Sequence, residues 1–178
     1  MRPKTLLLCA AILCLLSGSQ WVAKEQTKDS CALPPGLSAE ISKDYADTKL
    51  VSLADLDEHD RKLFQREHGN RCPGLMRVDF YGDGKPTWAL VLIAGANPKR
   101  RAQLVVAQQT DRGWESRSLE TTDGTPVIWR MNPGKYTDMY GKKSVVATHP
   151  VIVFCGYESW AILYAWTGKN AEKVWLSD

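Results

Sequence analysis

The second half of this 178-residue chain is a succession of short apolar runs divided by turn residues. From Leu75 onward, clusters of Gly, Pro, Asn and Asp separate about eight runs of strand length. Short strands at this spacing indicate an antiparallel meander or a two-layer β structure. We therefore expect an α+β fold that is mostly antiparallel β, with about seven or eight strands. The predicted strands are 75–81, 87–94, 102–110, 113–120, 126–131, 144–155, 159–166 and 172–177.

One of these runs is apolar on both of its faces. Successive side chains of a strand point to opposite faces of the sheet, so a strand that is apolar throughout is buried on both sides. We expect residues 159–166 to form such a central strand. One face would present Trp160, Ile162 and Tyr164, and the other Ala161, Leu163 and Ala165.

One helix is predicted ahead of the strands and packed on the sheet. Asp55 can serve as its N-cap with Glu58 three residues later, which is a capping-box arrangement, and Gly69 is a helix stop. The helix should span about 55–68 and bury one narrow apolar stripe. That stripe consists of Leu56, Leu63 and Phe64.

The N-terminus has the pattern of an export signal. Arg2 and Lys4 precede an apolar run from Leu6 to Leu16, and small residues follow at Ser17 and Ser19. The run is shorter than the about 20 residues that a membrane-spanning helix needs. We therefore expect a secreted or periplasmic protein that does not span the membrane. The expected parts are a signal peptide at 1–19, a flexible lead-in at 20–37 and a single domain at 38–178.

Removal of the signal peptide makes the chain nearly neutral. The full chain has 23 Lys+Arg and 20 Asp+Glu, and residues 1–19 take away two basic residues and no acidic one. A near-neutral domain does not predict the concentrated basic face that nucleic acid requires. The basic groups at 99–101 and 142–143 are read as solvated loop tips, with contact to an anionic surface as the alternative.

Three cysteines remain after the signal peptide, which in an oxidising compartment suggests one disulfide and one free thiol. Cys31 and Cys72 both lie in loop-like contexts, whereas Cys155 ends an apolar run and is typical of a buried, inert thiol. We favour a Cys31–Cys72 disulfide, with Cys72–Cys155 as the alternative.

The segment 79–87 matches part of a calcium loop. Calcium loops place oxygen ligands at alternate positions and a glycine at the sixth, and Asp79, Asp83 and Gly84 match positions one, five and six. Residues 78–88 resemble the strand–loop–strand calcium signature of FG-GAP/VCBS-type repeats, and this resemblance implies a calcium site at Asp79 and Asp83.

The same segment departs from that family pattern at two ligand positions. Tyr81 stands where the second carboxylate should be, and Thr87 stands where the last should be. The alternative is a β-turn that uses Gly82, Asp83 and Gly84 for their tolerance of positive φ. We expect no cofactor otherwise.

Hydrolase signatures are not found in the sequence. There is no Gly-x-Ser-x-Gly, Ser-x-x-Lys or His-Glu-x-x-His pattern, and His149 precedes a proline, as a turn histidine does. Acidic pairs that converge only in space, such as Glu115 with Glu120 or Glu158 with Asp178, are the remaining route to an exported hydrolase.

Aromatic residues in loops suggest a binding surface. The segment 133–141 is polar and turn-rich, yet it carries Tyr136 and Tyr140. Together with Tyr157 and Trp166 these rings could form a platform that stacks sugars or grips a protein, the alternative being that they are core. We therefore expect a non-enzymatic exported domain that binds a protein partner or a cell-envelope glycan. An exported hydrolase and a calcium-stabilised module are the alternatives.

Overall fold

A computed structural model describes residues 31–95 and 100–178. The predicted signal peptide, most of the predicted lead-in and residues 96–99 lie outside the described residues. The described part forms two α-helices and eleven strands, and every strand pairing in it is antiparallel, which confirms the predicted fold class. The helices are α1 (Leu37–Asp44) and α2 (Glu58–His68). The strands are β1 (Thr48–Leu50), β2 (Leu75–Val78), β3 (Thr87–Ala94), β4 (Arg101–Thr110), β5 (Gly113–Asp123), β6 (Val127–Met131), β7 (Gly134–Thr137), β8 (Ser144–Ala147), β9 (Val151–Gly156), β10 (Trp160–Trp166) and β11 (Ala171–Ser177).

The first sheet is built around β3. One edge of β3 pairs with β4, which in turn pairs with β5. The other edge of β3 is shared, because β1 pairs with its C-terminal end and β2 with its N-terminal end. The alternating residues Ala89, Val91 and Ile93 are buried on one face of β3, and Leu90 and Leu92 are buried on the other. Both faces of this sheet are therefore covered.

The second sheet has the order β11-β10-β9-β6, and it packs against the first sheet in one hydrophobic cluster. The interior strand β10 corresponds to the predicted central strand 159–166, and its four residues from Ile162 to Ala165 are buried. Glu120 of β5 joins the two sheets, because its carboxylate accepts hydrogen bonds from Tyr164 and Lys173.

Helix α1 was not predicted. It packs Leu37 and Ile41 against the face of the first sheet that carries Leu90 and Leu92. The helix has only eight residues, and Gly36 at its N-cap makes no side-chain cap. Neither periodicity nor capping therefore marks it in the sequence.

Helix α2 begins three residues later than expected. Asp57 is its N-cap and accepts a hydrogen bond from the Asp60 amide at 2.9 Å. The prediction of Asp55 as N-cap was wrong, because Asp55 forms a capping box with Ser52 around a short 3-10 turn at Leu53–Asp55. Because Asp55 accepts a hydrogen bond from Ser52, one turn upstream, it does not cap α2.

Residues 134–147 form a β-hairpin. The predicted loop 133–141 contains β7, and the predicted strand 144–155 is two strands, β8 and β9. Strand β7 has four residues, of which two are exposed, so it lacks the length and the apolar alternation that mark a strand in the sequence.

The predicted disulfide between Cys31 and Cys72 is present, with a Cα–Cα distance of 5.0 Å. It joins the segment before α1 to the segment before β2. Cys155 is free and buried on β9, and burial raises the pKa of its thiol to about 12. A thiol that stays protonated is a poor nucleophile, which agrees with the predicted inert cysteine.

Candidate functional site: an arginine-lined cleft

A cleft of about 540 Å³ lies between the edge strands β2 and β6 and reaches the C-terminal turn of α2. Within the described residues β2 pairs only with β3, and β6 pairs only with β9. One backbone hydrogen bond, from the Ile128 amide to the Pro73 carbonyl at 2.9 Å, links the two edges. This hydrogen bond therefore connects the two strand edges at the end of the cleft where Pro73 and Ile128 lie.

Aromatic rings form the floor of the cleft. His68 stacks on Trp129, with ring centroids 5.1 Å apart and an interplanar angle of 28°, and the Phe64 ring is tilted by 49° against His68 with centroids 4.8 Å apart. Burial lowers the pKa of His68, and its Nε2 has no hydrogen-bond partner among the described residues. At neutral pH the ring is therefore an uncharged aromatic surface.

Three exposed arginines, Arg71, Arg77 and Arg130, line the same cleft. None of them forms an ion pair or a hydrogen bond with a residue in the described part of the chain. None of the described residues that line the cleft is acidic. The cleft therefore combines an apolar floor with three arginines that form no ion pair, and the carboxylate of Glu67 lies 3.9 Å from Nε2 of His68 in that floor.

The short segment before β2 shapes one wall of the cleft. Cys72 lines the cleft and is held by its disulfide, while Gly74 rests against the backbone of Val51. A Cβ on Gly74 would lie 2.5 Å from the Val51 carbonyl oxygen, so only glycine fits this approach. The glycine and the disulfide together fix where β2 begins.

Two of the four aromatic residues predicted to form a binding platform are separated by the length of a strand. Tyr157 and Trp166 lie at opposite ends of β10, and Trp166 makes an edge contact with Tyr81 at 5.0 Å. The Tyr136 hydroxyl bonds the Asn132 carbonyl within its own hairpin.

Tyr140, the fourth of these residues, is exposed at the tip of the β7–β8 hairpin. There it accompanies the exposed Met139 and Trp175, and the Met139 amide donates to the Trp175 carbonyl at 2.9 Å. Tyr140 is thus the one residue of the predicted platform that is exposed among the described residues, and its exposed neighbours Met139 and Trp175 were not predicted.

The segment that resembles a calcium loop forms a turn whose carboxylates have internal partners. Asp79 accepts the Gly82 amide at 2.9 Å, and Asp83 accepts both the Lys85 amide and the Gln108 side chain. Across residues 31–95 and 100–178, no group of three or more His, Cys, Asp or Glu side chains is placed to hold a metal ion.

The acidic residues named for a hydrolase each have a separate partner. In every case a basic or hydroxyl group engages the carboxylate. The pairs are Glu115 with Arg112, Glu120 with Lys173, Glu158 with His59, and Asp178 with Tyr140.

A second pocket of about 440 Å³ lies at the start of α2 and has walls of both charges. Asp57, Asp60 and Arg100 line it together with Tyr157 and Trp160. Burial, followed by the charge of Asp57, raises the pKa of Asp60. Four aspartates and one arginine line this pocket, so its charge is mainly acidic, whereas the charged residues of the cleft between β2 and β6 are arginines. The cleft is also the larger of the two, and we take it as the candidate site.

The residues of the cleft were not predicted from the sequence. A local signal existed: residues 68–78 contain His68, Arg71 and Arg77 but no carboxylate. Arg130 and Trp129 come from a distant strand, and no local pattern places them beside Arg77.

No protein-family model matches the chain, and no match was found among curated proteins or solved structures. No helix in the described part of the chain is long and apolar enough to cross a membrane.

Proposed function

We propose that this protein is an exported, non-catalytic binding domain whose cleft between β2 and β6 binds an anionic group of a protein partner or a cell-envelope glycan. The observation that carries the proposal is that Arg71, Arg77 and Arg130 surround an aromatic floor with no carboxylate among them.

Unpaired guanidinium groups beside apolar surface favour a ligand that is both anionic and partly apolar. Arginine presents a planar fork of donors that matches a carboxylate, phosphate or sulfonate in a bidentate manner. The stacked rings of His68 and Trp129 offer a flat apolar surface next to these donors. A ligand with a charged group and a flat or aliphatic part would satisfy both.

The residues that line the cleft support binding rather than catalysis. Cys72 is disulfide-bonded, and His68 stacks on Trp129 and contacts Phe64. The described lining supplies neither a free nucleophile nor an acid–base pair. Export is supported by the disulfide, which persists in oxidising compartments, and by the predicted signal peptide.

The test uses two dyes of similar shape and different charge. The sulfonate 1-anilinonaphthalene-8-sulfonate and its uncharged analogue N-phenyl-1-naphthylamine both fluoresce more strongly in apolar sites. We expect the sulfonate to bind more tightly by about tenfold, and its binding to weaken as salt is added.

Two sets of variants compare arginines that line the cleft with an arginine that lies outside it. Arg77→Ala with Arg130→Ala should remove the preference for the sulfonate, whereas Arg112→Ala should not, because Arg112 is exposed and paired with Glu115 outside the cleft. Equal binding of the two dyes, or equal effects of the variants, would contradict the proposal.

A further inference from the structure

His68 lies in the floor of the cleft with no hydrogen-bond partner for its ring. The imidazole stacks on Trp129 and contacts Phe64, and its side chain is only 17% exposed. Neither of its ring nitrogens forms a hydrogen bond with a described residue, and Nε2 is buried. Protonation would place a second N–H on a ring that has no acceptor, so the neutral ring is the stable form in the free protein.

Charged groups from α2, β2 and β6 surround this ring. The nearest is the carboxylate of Glu67 on α2, at 3.9 Å from Nε2. The others are the arginines of the cleft, which are Arg71 after α2, Arg77 on β2 and Arg130 on β6. Burial lowers the pKa of His68, Glu67 opposes this effect, and Arg71 adds to it. The ring therefore takes up a proton only below its ordinary pKa of 6.5.

We propose that the cleft binds its anion together with a proton, and that His68 is the residue that takes up this proton. The inference rests on the binding function proposed above. A neutral His68 adds nothing to the attraction for an anion, whereas an imidazolium adds a fourth positive charge to those of the three arginines. Since His68 is the last residue of α2, the helix dipole also favours the charged ring.

Binding of the anion and protonation of His68 must strengthen each other by the same factor. A bound anion supplies the negative charge that the imidazolium lacks, so it raises the pKa of His68, and the proton raises the affinity for the anion equally. In the free protein the lowered pKa makes the free energy of unfolding decrease as the pH falls below 6.5. A bound anion should offset this loss.

The probe is 1-anilinonaphthalene-8-sulfonate, because its sulfonate stays ionised throughout the range in which histidine titrates. We expect its Kd to fall by about five- to tenfold between about pH 8 and about pH 5. The uncharged N-phenyl-1-naphthylamine should bind with the same Kd at both pH values. A Kd of the sulfonate that is the same at both pH values would overturn the inference.

Two histidine variants of α2 test whether His68 is the group that titrates. His68→Phe keeps a ring on Trp129 but cannot take up a proton, so its Kd for the sulfonate should not depend on pH. His59→Phe is the control, because His59 is exposed, pairs with Glu158 and lies outside the cleft. It should keep the pH dependence of the unsubstituted protein. If the dependence persisted in His68→Phe, the assignment to His68 would be wrong.

NMR measures the coupling without any substitution. The chemical shift of the imidazole Cε1–H group reports the pKa of each histidine. Saturating 1-anilinonaphthalene-8-sulfonate should raise the pKa of His68 by about one pH unit, which is equivalent to a tenfold change in Kd. The pKa of His59 should stay the same. An unchanged pKa of His68 in the bound protein would exclude the coupling.

Two results distinguish the failure of this coupling from the failure of the proposed function. If the sulfonate binds more tightly than the uncharged dye but its Kd is independent of pH, the proton coupling is wrong and the anion-binding cleft remains. If the sulfonate binds no more tightly than the uncharged dye at either pH, both proposals are wrong.

Discussion

The imidazole ring of His149 lies directly over Gly82. A Cβ on Gly82 would be 2.1 to 2.3 Å from three atoms of that ring, and φ of Gly82 is 71°. Gly84 has a similar φ of 75°, yet no atom lies within 4 Å of its Cβ position. Alanine substitutions at these two glycines of one turn therefore distinguish the energetic cost of a positive φ from that of a steric clash.

We predict that Gly84→Ala lowers the free energy of unfolding by about 1 kcal/mol, and Gly82→Ala by about 2–4 kcal/mol. The larger loss should be partly recovered in a double variant that also carries His149→Ala. Urea denaturation of the four proteins measures these values. Equal losses for the two glycine variants would show that the ring of His149 does not restrict this turn.

The turn at 79–87 should be stable without calcium. Asp79 and Asp83 already accept hydrogen bonds from within the protein, so a bound cation would have to compete with those donors. We expect EDTA to leave the Tm of metal-loaded protein unchanged. A rise in Tm on adding calcium that is lost in Asp79→Asn would instead support the site that the repeat resemblance implies.

Loss of the disulfide should lower the free energy of unfolding, but the sheets should still fold. The bond closes a sequence separation of 41 residues, and chain entropy assigns such a loop about 4 kcal/mol. We predict a loss of this size in a variant carrying Cys31→Ser and Cys72→Ser, measured by urea denaturation. Cys155→Ala is the control for cysteine removal, and it should cost less than the double variant by about 2 kcal/mol.

The hydrogen bonds that ionised Glu120 accepts between the two sheets should make the free energy of unfolding decrease at acidic pH. Burial opposes ionisation, but hydrogen bonds from Lys173 and Tyr164 outweigh it and lower the pKa of Glu120 below its ordinary 4.5. Its contribution is therefore complete above pH 4.5 and is lost as pH falls through the lower pKa of the folded state.

We predict that Glu120→Gln costs about 1–3 kcal/mol at pH 7 and much less at pH 3. Glu115→Gln, on the same strand but exposed, should change stability little at either pH. Unfolding free energies at the two pH values test this. If Glu120→Gln lowered the free energy of unfolding equally at both pH values, the ionised form of Glu120 would not be what stabilises the protein.

The buried thiol of Cys155 should make the free energy of unfolding decrease as the pH rises into the alkaline range. Its pKa is raised to about 12 in the folded protein from 9.0, so its thiol stays protonated while the thiol of the unfolded chain ionises. Its contribution to stability is full below pH 9 and is lost as pH rises toward 12. We predict that the native protein loses more stability between pH 8 and pH 11 than Cys155→Ala does, as measured by denaturation at each pH.

Local patterns in the sequence predicted most of the strands, because each strand is set by its own residues. Strand β3 has the predicted bounds, since Pro86 and Gly95 enclose an apolar run that leaves few alternatives. Helix α1 and strand β7 were missed because they are short and are stabilised by contacts from elsewhere in the fold. For the same reason Asp55 was misassigned, since Ser52 competes for it.

The cleft could not be predicted from the sequence because it depends on two edges that meet in space. Arg77 belongs to the first sheet and Arg130 to the second. Each arginine alone looks like a polar residue at a strand edge, which is common. Only the packing of the two sheets places both arginines in one cleft.

Because Cys72 is both a disulfide cysteine and a residue of the cleft wall, the shape of the cleft depends on whether the surroundings are oxidising or reducing. One half of the disulfide is also part of the cleft wall, so a chain whose thiols are still reduced has a wall that is free to move. Breaking this single covalent bond would therefore loosen one wall of the cleft, so the geometry of the cleft depends on the oxidation state of two cysteines that lie 41 residues apart in the sequence.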